Sequence, residues 1–222
     1  MGQKIEAVVF DMDGVLFDTE RLYVDAWKEA AVRMQLPGDK IEKTIHSCVG
    51  LNNTDTRALF LGEYGEEFPF EEYIALTRAL FHETVERDGL PVKPGVREIL
   101  DYLKNAGCRI ALASSTSKKS VQSHLQTAGI EEYFEALVTG DMVEHSKPDP
   151  EIFRRACEAV GVKPEHAIAI EDSYNGIRSA YGAGMMAVMV PDLLMPTPEI
   201  EKLLYAKCTS LFEVMDLIKE GE

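Results

Sequence analysis

Five short apolar runs, separated mostly by segments of helical spacing, restrict this chain to very few folds. They cover residues 7–10, 109–113, 136–139, 167–170 and 187–190. Each is too short for a core helix and rich in aliphatic residues, which suits strands buried on both faces. Between the later runs, Val96, Ile99, Leu100 and Leu103 form one helical stripe, and Val121, Leu125 and Ala128 form a second. Ile152, Phe153, Ala156 and Val160 form a third, with Pro150 suited to its first turn. Gly107, Gly129 and Gly161 stand just past the three stripes, where helices commonly end. Strand and helix in alternation imply βαβ units, and hence a parallel sheet covered by helices.

The alternation fails between the first run and the second. From about residue 19 to 90 only helical spacing is found. Leu22, Ala26, Ala30 and Met34 make a stripe that Pro37-Gly38 breaks, and further helical runs follow over 41–48, 54–64 and 71–86. Leu90-Pro91-Val92-Lys93-Pro94-Gly95 then returns the chain to the α/β pattern. The expected division is a discontinuous α/β core, 1–18 with 91–222, and a helical insert over 19–90 placed to act as a lid. Leu193-Leu194-Met195-Pro196-Thr197-Pro198 is expected to be a connector to the last helix.

With 222 residues, 45% hydrophobic and 27% charged, the chain can bury a sizeable core as an ordinary soluble protein. No apolar stretch is long enough to cross a bilayer, and residues 1–6 lack a signal-peptide pattern. No membrane association and a cytoplasmic location are therefore expected. The scattered Cys48, Cys108, Cys157 and Cys208 form no Cys-x-x-Cys pair, which argues against disulfides and structural zinc. A net charge of −15 argues against nucleic acid as a partner. An anionic small substrate would need local lysine, backbone amides and a metal ion to draw it in against the overall field.

The chemistry-bearing residues gather at strand ends. The first run leads into Phe10-Asp11-Met12-Asp13-Gly14. Residues two apart on an extended segment point the same way, so Asp11 and Asp13 converge just past the strand, where open α/β sheets bind ligands. Two carboxylates held together call for a shared proton or a cation, and a hard ion such as magnesium is the natural one. The plainer alternative is a strand ending in an acidic turn. The second run ends Ala113-Ser114-Ser115-Thr116, which can cradle a phosphate oxygen or simply cap a helix. After the third comes Ser146-Lys147-Pro148-Asp149-Pro150, a lysine on stiff backbone that can face a phosphoryl group or merely solvent. The fourth ends Ile170-Glu171-Asp172-Ser173, which adds two carboxylates or another helix cap. Four coincident strand ends in this order outweigh the four separate alternatives.

On these motifs the chain resembles the haloacid dehalogenase superfamily, in its β-phosphoglucomutase-like group of sugar-phosphate phosphatases and mutases, from Phe10 to Pro191. The resemblance implies a Rossmann-like α/β core with an inserted all-helical cap, a magnesium cofactor, and a monomeric enzyme acting on a small phosphorylated metabolite. It implies Asp11 as nucleophile and Asp13 as general acid/base. Ser114 and the backbone of Ser115 would bind phosphate, and Lys147 would neutralise it. Magnesium would be bound by Asp11, the Asp13 carbonyl, Asp172 and, directly or through a neighbour, Glu171. In the chemistry so implied, Asp11 attacks phosphorus in line to form an aspartyl-phosphate. Asp13 protonates the leaving oxygen and later takes a proton from the incoming water.

Mutases of this group carry a histidine in the first cap helix and a Lys-Gly-x-x-Arg stretch in the cap. Here Tyr23 and Val49-Gly50-Leu51-Asn52-Asn53 stand in those places, so the charges that would grip a bisphosphorylated intermediate are missing. A phosphatase is therefore expected, with a sugar phosphomutase as the alternative. Tyr23, Gly50, Leu51, Asn52 and Asn53 are the expected specificity residues, although the loop can also be a mere link between helices. An interaction protein without activity would tolerate loss of Asp11, Asp13 or Asp172, and all three are intact. A dehalogenase is disfavoured, because Asp13 and the acidic pair suit phosphoryl transfer.

Overall fold

The computed structural model describes residues 4–48 and 53–220. The chain falls into two compact units, which part between Asp18 and Thr19 and again between Gly89 and Leu90. Helices α1 (Thr19–Arg33), α2 (Gly38–Cys48), α3 (Asn53–Tyr64) and α4 (Phe70–Asp88) make up the inserted unit. The other unit holds strands β1 (Ala7–Phe10), β2 (Arg109–Ser114), β3 (Ala136–Thr139), β4 (Ala167–Glu171), β5 (Met186–Met189) and β6 (Ala206–Lys207). Its helices are α5 (Val96–Asn105), α6 (Lys118–Ala128), α7 (Glu151–Ala159), α8 (Tyr174–Ala183), α9 (Pro198–Glu201) and α10 (Leu211–Glu220).

All paired strands are parallel, in the order β3-β2-β1-β4-β5-β6, so the chain adopts the α/β class that its alternation implies. The order reverses between β1 and β4, and the crevice at the carboxyl ends of such a sheet opens at that reversal. Side-chain size alternates along the central strands. Val8, Phe10, Ile110, Leu112, Ile168 and Ile170 face one layer, where α5, α6 and α10 supply Leu100, Leu125 and Val214. Ala7, Ala111, Ala113, Ala167 and Ala169 face the other, against Phe153 and Ala156 of α7 and Ile177 and Ala180 of α8. Small side chains on that face leave room for bulky Phe153 beneath the sheet, and the loops that enter α7 and α8 run to the carboxyl ends of the strands.

The connector after Pro191 is more than a loop. Thr197 caps α9 by accepting from the backbone N–H of Ile200, and Ala206-Lys207 then adds a sixth strand beside β5. A two-residue strand with one apolar side chain carries no periodic signal, which hides it in the sequence. The fifth strand also starts one residue earlier than the apolar run suggests. Val190 lies past its end, where its N–H donates to the Glu171 carbonyl at 2.8 Å.

The chain leaves and re-enters the α/β unit through a narrow stem. Phe17 pairs with Val92 in an antiparallel bridge, the Asp18 N–H donates to the Pro91 carbonyl, and the Lys93 N–H to the Leu16 carbonyl, both at 2.9 Å. The inserted helices have their own core. Phe60 is fully buried and sits within 6 Å, centroid to centroid, of Trp27, Tyr64, Phe68, Phe70 and Tyr73. The Tyr73 hydroxyl, buried with its ring, donates to the Trp27 carbonyl at 2.8 Å.

Candidate active site

Asp11 continues the ladder of β1, donating its N–H to the Ile170 carbonyl at 3.0 Å, so its position is set by the strand itself. Directly behind it the chain turns sharply. The Leu16 N–H reaches back to the Met12 carbonyl and the Gly14 N–H to the Phe17 carbonyl, both at 2.9 Å. Gly14 has φ +76°, and a Cβ there would lie 2.2 Å from Oδ2 of Asp172. Glycine is thus required twice at this position, once for the backbone angle and once for the close approach of the acidic loop that follows β4.

Lys147 ties the strand ends together. Its Nζ donates to Oδ1 of Asp11 at 2.5 Å, to Oε1 of Glu171 at 2.7 Å and to the Ala113 carbonyl at 3.0 Å. Its stem lies over the Phe153 ring, with Nζ 4.9 Å from the centroid. The loop that carries it is fixed at both ends. The Asp149 N–H donates to the Ser146 carbonyl at 3.0 Å, and the Ser179 hydroxyl of α8 donates to the Asp149 carbonyl at 2.6 Å. An ammonium ion that makes three strong hydrogen bonds at 7% side-chain exposure is a built-in counter-charge, not a solvated surface lysine.

Glu171 spends both its oxygens on organising this corner. While Oε1 accepts from Lys147, Oε2 accepts from the N–H groups of Asp172 and Ser173, at 3.0 and 2.9 Å, and from the Ser173 hydroxyl at 2.9 Å. Ser173 in turn caps α8 by accepting from the Gly176 N–H at 3.0 Å. A Cβ on Gly176 would fall 1.7 Å from Oε1 of Glu171, so the helix can approach the carboxylate only with glycine there.

One oxygen each from Asp11, Glu171 and Asp172 lies within 4.8 Å of the others. Three carboxylates face one ammonium, and the electrostatics register the imbalance. Burial pushes the Asp11 carboxyl up to about 8; Lys147 opposes the rise, while Glu171 and Asp13 add to it. Burial works against charge on Lys147 as well, but Asp11 and Glu171 outweigh it and hold the ammonium above its usual range. A divalent cation between Asp11 and Asp172 would supply the missing positive charge, and hard oxygen ligands are the donor set that such an ion prefers.

The remaining strand ends close the site. The buried Ser114 hydroxyl accepts from the Thr116 N–H at 3.1 Å. Ser115 is exposed. The Gly140 N–H donates to the Thr116 carbonyl at 3.1 Å, stapling the loop after β2 to the loop after β3. Asp13 accepts at Oδ2 from the Thr116 hydroxyl at 3.0 Å. Behind the turn, Lys93 donates to the Gly14 carbonyl at 2.8 Å and pairs with Asp192 at 2.7 Å.

Asp11, Lys147, Glu171 and Asp172 therefore meet at the crevice between β1 and β4, with Asp13 on the turn after β1 and Ser114 at the end of β2. Thr116, Gly176 and Lys93 are added to them by the structure. Thr116 carried a signal only as the third hydroxyl of its run. Gly176 carried one as a lone glycine inside a helical segment, which often marks a packing constraint. Tyr23 lies on α1 in the inserted unit, about one-third exposed, stacked on Phe81 with centroids 4.0 Å apart. Gly50, Leu51 and Asn52 lie outside the described residues, and Asn53 is the first residue of α3.

Residues 8–190 match the haloacid dehalogenase-like hydrolase family. The chain is 34% identical to a phosphorylated carbohydrates phosphatase from Thermotoga maritima, over 82% of each protein. Among solved structures it is similar to CbbY from Rhodobacter sphaeroides in complex with phosphate, with TM-score 0.70, 28% identity, and coverage of 95% of this chain and 96% of that one. It is also similar to a β-phosphoglucomutase from Clostridium difficile, with TM-score 0.69, 26% identity, and coverage of 98% and 96%. With four motifs on four adjoining strand ends and a family match over residues 8–190, this chain belongs to the haloacid dehalogenase-like hydrolase family.

Proposed function

We propose that this hydrolase releases phosphate from a small phosphorylated metabolite, a sugar phosphate in the first instance. The observation that carries the reading is Lys147 held between Asp11 and Glu171 at the sheet's reversal point, with Asp172 beside them. A carboxylate next to a fixed ammonium can accept a phosphoryl group without building up uncompensated charge. Asp11 attacks phosphorus; the bond from phosphorus to the ester oxygen breaks as the bond to Asp11 forms. Asp13 gives its proton to the departing oxygen and then takes one from the water that hydrolyses the aspartyl-phosphate. The Ser114 hydroxyl and the backbone of Ser115 bind the phosphoryl oxygens in this reading.

The side chains of Asp11 and Asp172 and the carbonyl of Asp13 would hold a divalent ion, magnesium in this proposal. When bound, the ion would neutralise charge on the phosphoryl oxygens. Both oxygens of Glu171 are already engaged, so its part is to hold Lys147 and the Asp172 loop in place. Hydrolysis is preferred to isomerisation because Tyr23, stacked on Phe81, brings no charge to grip a second phosphate. A net charge of −15 keeps nucleic acid out of the reading. Among the described residues no helix is long and apolar enough to cross a membrane; a cytoplasmic, monomeric enzyme acting on free metabolites is part of this proposal.

The test is a panel of sugar phosphates incubated with magnesium, scored for both inorganic phosphate and isomerised ester. Phosphate release that disappears in Asp11→Asn, by at least about 10⁴-fold, is the expected result. Isomer formation without phosphate release would make the enzyme a mutase. Release undiminished in Asp11→Asn would remove the nucleophile from this account.

A further inference from the structure

Thr116 lies outside the residues that the phosphatase reading uses, yet it is among the most tightly held in the site. Its N–H donates to the Ser114 hydroxyl, its carbonyl accepts from Gly140, and its own hydroxyl donates to Oδ2 of Asp13 at 3.0 Å. The first two bonds fix the loop after β2 against both its own strand and the loop after β3. Gly140 allows this because a Cβ there would meet the Ser115 carbonyl oxygen at 2.1 Å. The third bond spans 103 residues of sequence and joins that fixed loop to the group which must move a proton. Val138 and the buried Thr139, on the strand that leads into Gly140, anchor the whole arrangement in the sheet.

We infer that Thr116 is the positioning residue for proton transfer: its hydroxyl, donating to Oδ2 of Asp13, holds that carboxyl in the orientation from which the proton is exchanged. The inference rests on the phosphatase reading and adds to it the residue that orients the proton-carrying carboxyl. A carboxyl group can rotate to offer either oxygen. Proton transfer to a departing group needs one oxygen within hydrogen-bond reach at the moment the phosphorus–oxygen bond breaks. A donor anchored at two other points holds the carboxyl plane and leaves one orientation. Threonine suits the task because its β-branched side chain is stiff at χ1 and its hydroxyl can be aimed by the backbone.

A role in proton transfer and a role in gripping phosphate predict different patterns across leaving groups. An alkyl ester releases a strongly basic oxygen, so the proton from Asp13 must arrive as the bond to phosphorus breaks. p-Nitrophenyl phosphate releases a stable phenolate that needs no proton. The experiment measures kcat/KM, which reports the steps through departure of the leaving group, for the wild type, Thr116→Val and Thr116→Ser. The two substrates are an alkyl monoester, the sugar phosphate best hydrolysed by the wild type, and p-nitrophenyl phosphate. The expected result is a fall of about 10–100-fold for Thr116→Val on the alkyl ester, a change below about threefold on the nitrophenyl ester, and recovery in Thr116→Ser.

Equal losses on both esters would make Thr116 a phosphate contact or a structural prop and overturn the inference. A serine variant as impaired as the valine variant would also overturn it. A wild-type enzyme inert toward every ester would overturn the phosphatase reading itself, and the inference with it. Retained activity on the nitrophenyl ester serves as the internal control that Thr116→Val has folded.

Discussion

At the carboxyl ends of the strands, Asp11, Ser114, Thr139 and Glu171 are buried polar residues; the last three hydrogen-bond the loops that follow them, and Lys147 joins Asp11 to Glu171. At the amino ends of the same strands, Arg109 and Glu135 pair in the open, and a cleft of about 580 Å³ is rimmed by Lys4, Glu6, Cys108 and Arg109. The glycines divide in the same way. Gly176 and Gly140 leave no room for a Cβ against Glu171 and the Ser115 carbonyl, whereas Gly107 has φ +69° and open space around it. At one end glycine serves atomic closeness; at the other it only turns the chain. The same sheet is thus built for chemistry at one end and for covering a core at the other, and substitutions can separate the two.

The largest contrast should come from the two ion pairs. Lys147→Met leaves two buried carboxylates without their counter-charge and should cost about 3–5 kcal/mol of stability by chemical denaturation. It should also lower phosphate release by about 10²–10³-fold. Arg109→Met removes an exposed pair and should cost no more than about 1 kcal/mol, with activity intact. Equal losses from the two would erase the distinction between the ends.

The glycines sharpen it next. Alanine inside a helix ordinarily stabilises by about 1 kcal/mol over glycine. Gly176→Ala should instead destabilise and lower activity by more than about tenfold, because Glu171, and Lys147 with it, must shift. Gly107→Ala should cost about 1–2 kcal/mol through its backbone angle alone and leave kcat/KM unchanged. A stabilised, active Gly176→Ala enzyme would show that the corner is looser than its contacts imply.

The smallest effect concerns Asp141, which accepts from the Thr139 hydroxyl at 2.5 Å and from the Lys118 N–H at the start of α6 at 3.1 Å. The Thr139 hydroxyl first, and then the Lys118 N–H, hold its carboxyl below the ordinary value of 3.8. A carboxyl lowered on folding contributes its stability in full above the unfolded value and loses it as pH falls through the folded one. Asp141→Asn should therefore lower Tm slightly at pH 7 and flatten the loss of Tm below about pH 4. Thermal melts of both proteins from pH 2.5 to 7 check it; a parallel pair of curves would count against the carboxyl's role.

Much of this was legible in the chain. Apolar runs and glycine stops locate five of the strands, because a strand buried on both faces reads as an unbroken aliphatic stretch. Asp11, Glu171 and Asp172 stand out for a similar reason: charged residues directly after such stretches have few reasons to be there, whereas Lys147 stands out by its stiff backbone before Pro148. Thr116 and Gly176 were not legible in their roles, since a hydroxyl or a glycine is common in any turn and only the fold shows what it touches. The two-residue β6 gave no periodicity. The different work of Glu171 and Asp172, adjacent acids in one motif, follows from which N–H groups the loop happens to present.

The stem at Phe17 and Val92 carries one more consequence, for how such a chain assembles and varies. Because the strands that enter and leave the helical insert are bonded to each other, the insert closes on itself as a loop with a fixed mouth. The cost of closing such a loop grows only slowly with its length, so helices can be lengthened, exchanged or lost beyond the stem at little cost to the sheet. Nothing in the register of β1 against β2 depends on how many residues are spent in between. A chain built this way can keep one reaction centre while the single cassette beyond the stem is replaced.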